Sequence, residues 1–191
     1  MKISTWYICA ATRTGSVDLL DLHTLNVART WQAHGSAIND MDVQGEFIVT
    51  CGSSGRQQQA AQLNLFDAFV NVFDMKNMSS MKPMPFPSLA AHVRLHPRML
   101  TTSIVVSQHG HIHVADVLNP SGAIVRYARS PQTTHLFEIA PSGEALVMAD
   151  ADSVLHLWGS PSKVRFLDMP MPVELPPPPT EPPKMDFSQD W

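Results

Sequence analysis

The sequence has few cysteines, few charged residues and no long hydrophobic run. Its two cysteines, Cys9 and Cys51, form neither a Cys-x-x-Cys motif nor a ligand pair, and each lies in an apolar segment. We therefore expect buried free thiols, as in proteins of reducing compartments. No stretch approaches the roughly 18 apolar residues of a membrane-spanning helix, and Met1–Trp6 lacks the apolar core of a signal peptide. No membrane contact is expected.

Motifs of common active sites are also missing. The sequence contains no Gly-x-Ser-x-Gly, no P-loop and no Gly-x-Gly-x-x-Gly pattern. It has no Asp-x-Glu pair of the kind that begins a two-metal nuclease site. A net charge of −4 does not favour electrostatic binding of nucleic acid by the chain as a whole. We therefore predict no active site, no cofactor and no metal ion in this chain.

A short strand recurs along the sequence. Its copies are Gly15–Asp21, Phe69–Asp74, His111–Asp116 and Val154–Gly159. Measured at the residue before the closing Asp or Gly, the copies are 53, 42 and 43 residues apart. A period of about 40–45 residues with a strand ending in a Trp-Asp-like pair is typical of WD40 propeller blades. The repeat predicts an all-β, WD40-like β-propeller with about four four-stranded antiparallel blades, and it favours a binding function over catalysis.

Alternation within the recurring strand predicts one buried face and one polar face. The apolar positions are Val17, Leu19, Val70, Val72, Ile112, Val114, Leu155 and Leu157. We expect them to be buried between neighbouring blades. The residues between them, on the polar face, are Asp18, Asn71, His113 and His156.

Two positions depart from the regular repeat. Only six residues precede Tyr7–Ala11, which matches the second strand of a blade, so we expect the first strand of this blade to be missing. The chain then either begins inside a propeller domain or closes a four-bladed ring with one incomplete blade. In the second unit, Arg56–Gln62 separates the strand Phe47–Cys51 from the strand at Phe69. We expect a loop with short helical character, which is either a partner contact or merely solvated.

Three closely spaced histidines raise the possibility of a metal site. His109, His111 and His113 would point to one face of a strand, but they would spread over about 13 Å. His109 also lies beside Gly110, where a turn is expected, and no cysteine or carboxylate cluster is near. A polar blade edge explains the three histidines better than a metal ion does.

Other histidines and paired acids are expected to have structural roles. His34, His92 and His135 stand where WD40 blades place a histidine that hydrogen-bonds within the blade. The acid pairs Asp40-Met41-Asp42 and Asp150-Ala151-Asp152 are expected at turns. There, Asp side chains tighten the backbone geometry.

The composition changes after Asp168. We divide the chain into a partial propeller, residues 1–168, and a Pro-rich linker or docking tail, residues 169–191. The run Pro176–Pro183 favours an extended polyproline II conformation. Phe187, Asp190 and Trp191 are candidate partner-binding residues of a short linear motif, and the alternative is an unstructured end.

Several segments together resemble one protein family. They are Tyr7–Thr12, Trp31–His34, Ile38–Asp42, Phe47–Gly52, Pro83–Pro87, His96–Met99 and, most strongly, Ile139–Leu146 and His156–Lys163. In these segments the chain resembles the N-terminal WD40 propeller of the catalytic subunit of the Pan poly(A)-specific ribonuclease complex, in a fungal version. The resemblance covers nearly the whole chain.

The resemblance implies the later blades of a seven-bladed propeller and the start of a linker. That family continues with an inactive ubiquitin-hydrolase-like domain and a two-metal exonuclease domain, so its catalytic acids have no counterparts here. The implied function is a non-catalytic scaffold in the shortening of mRNA poly(A) tails, in the cytoplasm and in P-bodies. The implied partners are a pseudokinase-like regulatory subunit and, through it, poly(A)-binding protein. Poly(A) RNA is a further candidate partner.

Two alternative hypotheses stay open. The chain is a truncated gene product without independent function, or it is a metal-dependent nuclease that uses its Asp pairs or histidines.

Overall fold

The computed structural model describes residues 1–57, 64–122, 124–127 and 133–159. These residues form strands and one 3-10 turn, Pro120–Gly122. No helix in these ranges is long and apolar enough to cross a membrane. The strands are β1 (Lys2–Ile3), β2 (Tyr7–Ala11), β3 (Ser16–Asp21), β4 (Val27–Gln32), β5 (Ile38–Gln44), β6 (Phe47–Gln57), β7 (Asn64–Phe66), β8 (Phe69–Asp74), β9 (Ser79–Ser80), β10 (Met84–Pro85), β11 (Ala90–Leu95), β12 (Thr102–Ser107), β13 (His111–Asp116), β14 (Ile124–Tyr127), β15 (Thr134–Ile139), β16 (Ala145–Asp150) and β17 (Leu155–Gly159).

The strands form four antiparallel sheets that follow one another along the chain. Blade 1 has the order β1-β2-β3-β4, and blade 2 has the order β5-β6-β8-β10 with β7 and β9 paired beside it. Blade 3 is β11-β12-β13-β14, and the described part of blade 4 is β15-β16-β17. Each sheet is built from strands that neighbour each other in the chain, as hairpin-linked propeller blades are. The prediction of successive antiparallel blades is confirmed.

Blade 1 has the first strand that the sequence was expected to lack. β1 pairs with β2, and Ile3 lies opposite Ile8. The turn between them is closed by the Ser4 N–H, which donates to the Tyr7 carbonyl at 2.8 Å. Because β1 is present, the prediction of an incomplete first blade was wrong. A strand of two residues is too short to be recognised in the sequence by an alternating pattern.

The insertion in blade 2 also differs from its prediction. β6 does not end near Cys51 but continues to Gln57, and β7 pairs back onto it. Ser53 lies opposite Phe66, and Gln57 lies opposite Asn64. The two arms of this hairpin extension pair with each other, so the strand continues through residues of low β-propensity. The rest of the predicted loop, residues 58–62, lies outside the described residues.

The core lies between blades. Blades 1 and 2 bury one cluster, in which the rings of Trp31 and Phe73 stack at 5.0 Å: Cys9, Val17, Leu19, Trp31, Met41, Ile48, Phe73 and Met75. Blades 2 and 3 bury a second: Val49, Cys51, Val70, Val72, Met84, Phe86, Ala90, Val93, Leu95, Val105, Ala115 and Val117. Blades 3 and 4 bury a third: Ile104, Val106, Ile112, Phe137 and Met148.

The predicted buried face of the recurring strand is confirmed in the first three blades and wrong in the fourth. In blades 1 and 2 the predicted positions are fully or almost fully buried, and in blade 3 Ile112 is buried and Val114 partly buried. In blade 4, however, Leu155 is 70% exposed and Leu157 is 48% exposed. The physical reason is that no described element covers this face of blade 4.

Both cysteines are free and buried, as predicted. Burial raises the pKa of the Cys9 thiol to about 11 and also raises the pKa of Cys51. Both side chains are therefore neutral, apolar members of the core.

We expect Phe137→Ala to destabilise the fold strongly. Phe137 is fully buried between blades 3 and 4, and its truncation leaves a cavity that costs about 3–5 kcal/mol. His135→Ala is the matched control, since it removes an exposed ring from the same strand and should change stability by less than about 0.5 kcal/mol. Urea unfolding followed by circular dichroism measures both, and similar losses in the two variants would contradict the assigned core.

Candidate functional site: the inner strands of the blades

The first strands of the four blades lie next to one another. β1, β5, β11 and β15 each form an edge of their own sheet. β1 contacts β5, β5 contacts β11, and β11 contacts β15. The inner edge of each blade, whose backbone groups have no strand partner on one side, therefore lies beside the inner edge of the next blade.

One register position of these inner strands carries a charge in every blade. The position is fixed by an apolar residue that pairs with the second strand of the blade: Ile3 with Ile8, Val43 with Ile48, Leu95 with Ser103, and Ile139 with Leu146. The residues immediately before these are Lys2, Asp42, Arg94 and Glu138. The sign of the charge therefore alternates from blade 1 to blade 4. We call these four residues the charge series.

The charge series joins neighbouring blades. Lys2 Nζ lies 3.1 Å from Asp42 Oδ1, between blades 1 and 2. Arg94 Nε lies 3.2 Å from both carboxylate oxygens of Glu138, between blades 3 and 4. Arg94 Nη1 also donates to Asp40 Oδ2 at 2.5 Å, between blades 2 and 3. One guanidinium thus connects three blades, which its rigid fork of donors permits.

The two acids of β5 also satisfy backbone groups of β11. Asp40 Oδ2 accepts a hydrogen bond from the Val93 N–H at 3.1 Å, and Asp42 Oδ2 accepts one from the Leu95 N–H at 2.9 Å. The prediction that Asp40 and Asp42 lie at a turn was therefore wrong. Their spacing of two residues is the period of a strand, and it directs both carboxylates to the same side.

The Arg94–Asp40 pair is shielded from solvent. The side chains are 14% and 18% exposed, respectively. Burial alone lowers the pKa of Arg94, but the charges of Asp40 and then Glu138 raise it above its ordinary value. Arg94 therefore stays protonated wherever the fold persists. A shielded pair with these additional hydrogen bonds fixes the position of one blade against the next.

The predicted structural histidine is present in blade 2. The side chain of His34 is fully buried, with Nε2 3.0 Å from Thr50 Oγ1 and Nδ1 3.2 Å from Asp67 Oδ2. The ring therefore ties the turn before β5 to β6 and to the turn before β8. Gly52 packs directly on this ring, and a Cβ at that position would lie 2.8 Å from it. A larger residue at position 52 would displace the histidine.

His92 and His135 do not occupy the equivalent position. They lie inside β11 and β15, each of which has a register shift near its start. The residue that corresponds to His34, four before the strand, is Phe86 in blade 3, which is buried with its ring 4.4 Å from that of His113. The prediction was wrong because His34 precedes its strand, whereas His92 lies within β11 at the register position that Asp40 occupies in β5.

The other candidate ligands do not form a metal site in the described part of the chain. Among those residues, no group of three His, Cys, Asp or Glu side chains comes together as metal ligands would. His109 lies in a turn, as predicted, and His111 and His113 lie on β13. Burial, and then the neighbouring His111, lower the pKa of His113, so this ring is neutral near pH 7.

Asp150 is the last residue of β16, and Asp152 lies in the turn that follows, as predicted. Asp150 Oδ1 accepts hydrogen bonds from the Asp152 and Val154 N–H groups at 3.0 Å, and its Oδ2 lies 2.8 Å from His156 Nε2. The contact with His156, followed by the backbone donors, lowers the pKa of Asp150. The carboxylate therefore fixes the turn that leads into β17.

The candidate partner-binding residues Phe187, Asp190 and Trp191 lie outside the described residues. So does the predicted domain boundary at residue 168.

Residues 1–159 match the model of a protein family described as PAN2 N-terminal. The chain belongs to this PAN2 N-terminal family. It is 64% identical over 182 residues to the PAN2-PAN3 deadenylation complex catalytic subunit PAN2 of Chaetomium thermophilum, covering 95% of this chain and 16% of that protein. It is 50% identical to the corresponding subunit of Neurospora crassa, over 91% of this chain and 13% of that protein. The chain thus spans only about a sixth of the length of these relatives.

Solved structures agree with the family and the fold. The WD40 domain of Neurospora crassa Pan2 matches with a TM-score of 0.77 at 51% identity, over 84% of this chain and 49% of that one. The β-propeller domain of Cps50 (Swd1) from Myceliophteria thermophila matches with a TM-score of 0.64 at 16% identity, over 82% of this chain and 48% of that one, which shows the fold alone. The predicted family resemblance and the predicted WD40 propeller fold of this PAN2 N-terminal chain are confirmed.

We expect Arg94→Met to destabilise the PAN2 N-terminal blades by about 2–3 kcal/mol. The change leaves the shielded Asp40 carboxylate without its main partner. Lys76→Met is the matched control, because the Lys76–Glu46 pair is mostly exposed and its loss should cost less than about 0.5 kcal/mol. Urea unfolding at moderate salt distinguishes the two, and equal costs would show that Arg94 does not hold the blades together.

We expect Asp150→Asn to reduce the loss of stability in acid. The pKa of Asp150 is lowered in the folded state, so its contribution is complete above the ordinary value of 3.8 and is lost as the pH falls through the folded value. The variant should lose less stability than the unchanged chain between about pH 5 and pH 3. Asp21 and Asp74 have pKa shifts in the same direction, so part of the pH dependence should persist. An identical pH profile in urea unfolding would refute the assignment.

Proposed function

We propose that this chain is a non-catalytic propeller segment that binds other proteins within an assembly that shortens mRNA poly(A) tails. The observation that carries the proposal is the match of residues 1–159 to the PAN2 N-terminal family. Relatives that contain this region are catalytic subunits of the PAN2-PAN3 deadenylation complex. The part shared with this chain is a small fraction of each of them, and in this proposal the activity belongs to the rest of those proteins.

The contacts that polar side chains make within and between the blades support a structural role for this region. The acids of the inner strands contact arginine, lysine and backbone donors of the neighbouring blade. His34 is used in a buried network inside blade 2. Because these acidic side chains and His34 already have hydrogen-bond or ion-pair partners in the blades, they are not available to activate a nucleophile or to bind a metal ion at a substrate.

Exposed apolar residues at one end of the blades support protein binding. They lie in turns between first and second strands or between third and fourth strands, which share one end of an antiparallel blade. These residues, 36–65% exposed, are Trp6, Leu22, Leu25, Met99, Leu100 and Leu118. Large exposed apolar side chains on a rigid frame are typical of protein-docking surfaces.

The partner in this proposal is the second subunit that the name of the relatives' complex implies, a PAN3-type, pseudokinase-like protein. It binds through residues 169–191, with Phe187 and Trp191 as aromatic anchors and Asp190 as a polar contact. Poly(A)-binding protein is reached through this partner, and the assembly works in the cytoplasm, including P-bodies. Direct binding of poly(A) RNA is a secondary candidate, which the net charge of −4 does not favour.

Co-purification with a PAN3-type subunit tests the proposal. The full chain should retain the partner, and Phe187→Ala combined with Trp191→Ala should lower the affinity at least about tenfold, because aromatic anchors dominate such contacts. Met185→Ala, in the same tail, is the matched control and should bind normally. Binding that is absent in the full chain, or unchanged in the double variant, would contradict the proposed docking residues.

A poly(A) degradation assay of the same protein tests the absence of catalysis. With magnesium or manganese present, the chain should leave a poly(A) substrate intact. Shortening that requires the added metal ion and stays with the chain through a second purification step would instead support the metal-dependent nuclease and overturn the proposal.

A further inference from the structure

The outer strand of blade 1 ends its sheet with an unpaired edge. β4 pairs with β3 on one side, and no further strand follows it in the sheet. This edge lies opposite β1, the edge that contacts the neighbouring blade, so it points away from the contacts between blades. Its exposure therefore does not depend on which blade precedes or follows in the propeller. An unpaired strand edge presents a row of backbone donors and acceptors.

The pairing of β4 with β3 shows which backbone groups face outward. The Ala33 N–H donates to the Gly15 carbonyl at 2.9 Å, just beyond the end of β4. Because bonded and non-bonded residues alternate in an antiparallel pair, the backbone groups of Trp31 face β3, whereas those of Thr30 and Gln32 face away from it. The N–H and C=O groups of Thr30 and Gln32 therefore have the direction that pairing with an added strand requires.

The side chains at these two outward positions leave the edge open. Thr30 Oγ1 donates to Asp18 Oδ1 at 2.8 Å. Gln32 Nε2 donates to the carbonyls of Thr14 and His34 at 2.9 and 2.8 Å, respectively. Both side chains are thus held against their own blade and its following turn. An incoming strand would not have to displace them.

Blade 2 has proline at the same two positions. Met84 is the counterpart of Trp31, since both are buried and lie opposite the same position of the recurring strand. The residues on either side of Met84 are Pro83 and Pro85, which have no N–H to donate. Proline at outward positions protects a sheet edge from pairing with another chain. The edge of blade 2 is therefore closed to an added strand, and the edge of blade 1 is not.

Blade 3 also lacks proline at these positions, but its outer strand is shorter. Val125 and Tyr127 of β14 lie opposite His113 and His111, where Thr30 and Gln32 lie in blade 1. β14 has four residues, whereas β4 has six. Among the described residues, β4 is the longest proline-free outer edge of a blade.

Arg29 gives the edge of β4 a sequence preference. Its side chain is exposed, and no carboxylate of the described residues forms an ion pair with it. An added strand places one of its residues directly opposite Arg29, and opposite charges at such a pair of positions stabilise the pairing. The edge therefore fits an extended, proline-free peptide that has Asp or Glu at this position.

We propose that β4 binds an extended acidic segment of a partner protein as a fifth strand of blade 1. Backbone hydrogen bonds to Thr30 and Gln32 hold the segment, and a carboxylate opposite Arg29 selects it. The site lies apart from residues 169–191, so it is a second contact beyond the one proposed for a PAN3-type subunit. The two contacts can be tested independently.

Amide hydrogen exchange of the full chain with a synthetic peptide is the first test. The probe is acetyl-Thr-Val-Thr-Val-Glu-Val-Thr-amide, added over a concentration series. The Thr30 and Gln32 amide protons should exchange rapidly in the chain alone and at least about tenfold more slowly at saturation, because bonded amides are protected. The same peptide with every backbone nitrogen methylated is the control. It keeps the side chains but cannot donate to the edge, so it should not bind.

Substitutions on β4 test the same contact. Thr30→Pro imitates blade 2 and should raise the dissociation constant at least about tenfold, because it removes an outward N–H group. Thr30→Val is the matched control, since it keeps the N–H group and loses only the bond to Asp18. Arg29→Glu should also weaken binding, and a peptide with Lys in place of its Glu should restore it. This charge exchange decides the question even if Thr30→Pro does not fold.

Several results would overturn the proposal. They are no saturable binding, a Thr30→Pro variant that folds and binds as tightly as the original, protection of other amides only, or no effect of the charge exchange. Slow exchange of the Thr30 and Gln32 amides without peptide would show that another part of the chain occupies the edge, which also contradicts the proposal. Peptide binding without retention of a PAN3-type subunit would contradict the proposed function alone.

Discussion

The contact of one sheet face with the next is the interaction on which this structure depends. A four-stranded blade has two faces and too little apolar area to fold alone, so each blade is stable only where a neighbour covers it. The fully buried apolar side chains of the described residues accordingly lie between blades 1 and 2, 2 and 3, and 3 and 4. Phe137 is buried because its side of β15 faces blade 3. Its neighbour Leu136 points to the other side of the strand and is exposed.

Packing alone does not satisfy the inner edges, where backbone donors would otherwise be left without partners. The short side chains of Asp40 and Asp42 reach across to β11 and accept from its N–H groups, while Arg94 balances their charge. Apolar contact thus holds the blades face to face, and the polar contacts set the register in which neighbouring edges meet. Both kinds of contact use nearest neighbours, which is why repeats of quite different sequence build the same frame.

The blades could be predicted from the sequence, but the contacts that hold one blade against the next could not. Alternation and period identified β3, β8, β13 and β17, because long-range packing acts on every copy in the same way. The two-residue β1 could not be seen, because its pairing depends on β2 and not on its own pattern. His92 lies within β11, where Asp40 lies in β5, and spacing along the sequence does not reveal this register. The roles of Asp40 and Asp42 could not be predicted, because their partners lie more than 50 residues further along the chain.

The charge series has a consequence for how such a chain can evolve. Lys2, Asp42, Arg94 and Glu138 occupy equivalent positions, yet each suits only a neighbour of opposite sign. Duplicating or deleting a single internal blade would place two like charges side by side on adjacent inner strands. Recombination that duplicates or deletes a single blade is therefore unfavourable, whereas recombination that moves blades in pairs preserves the alternation of charge. The blades are alike in shape, but their order is fixed.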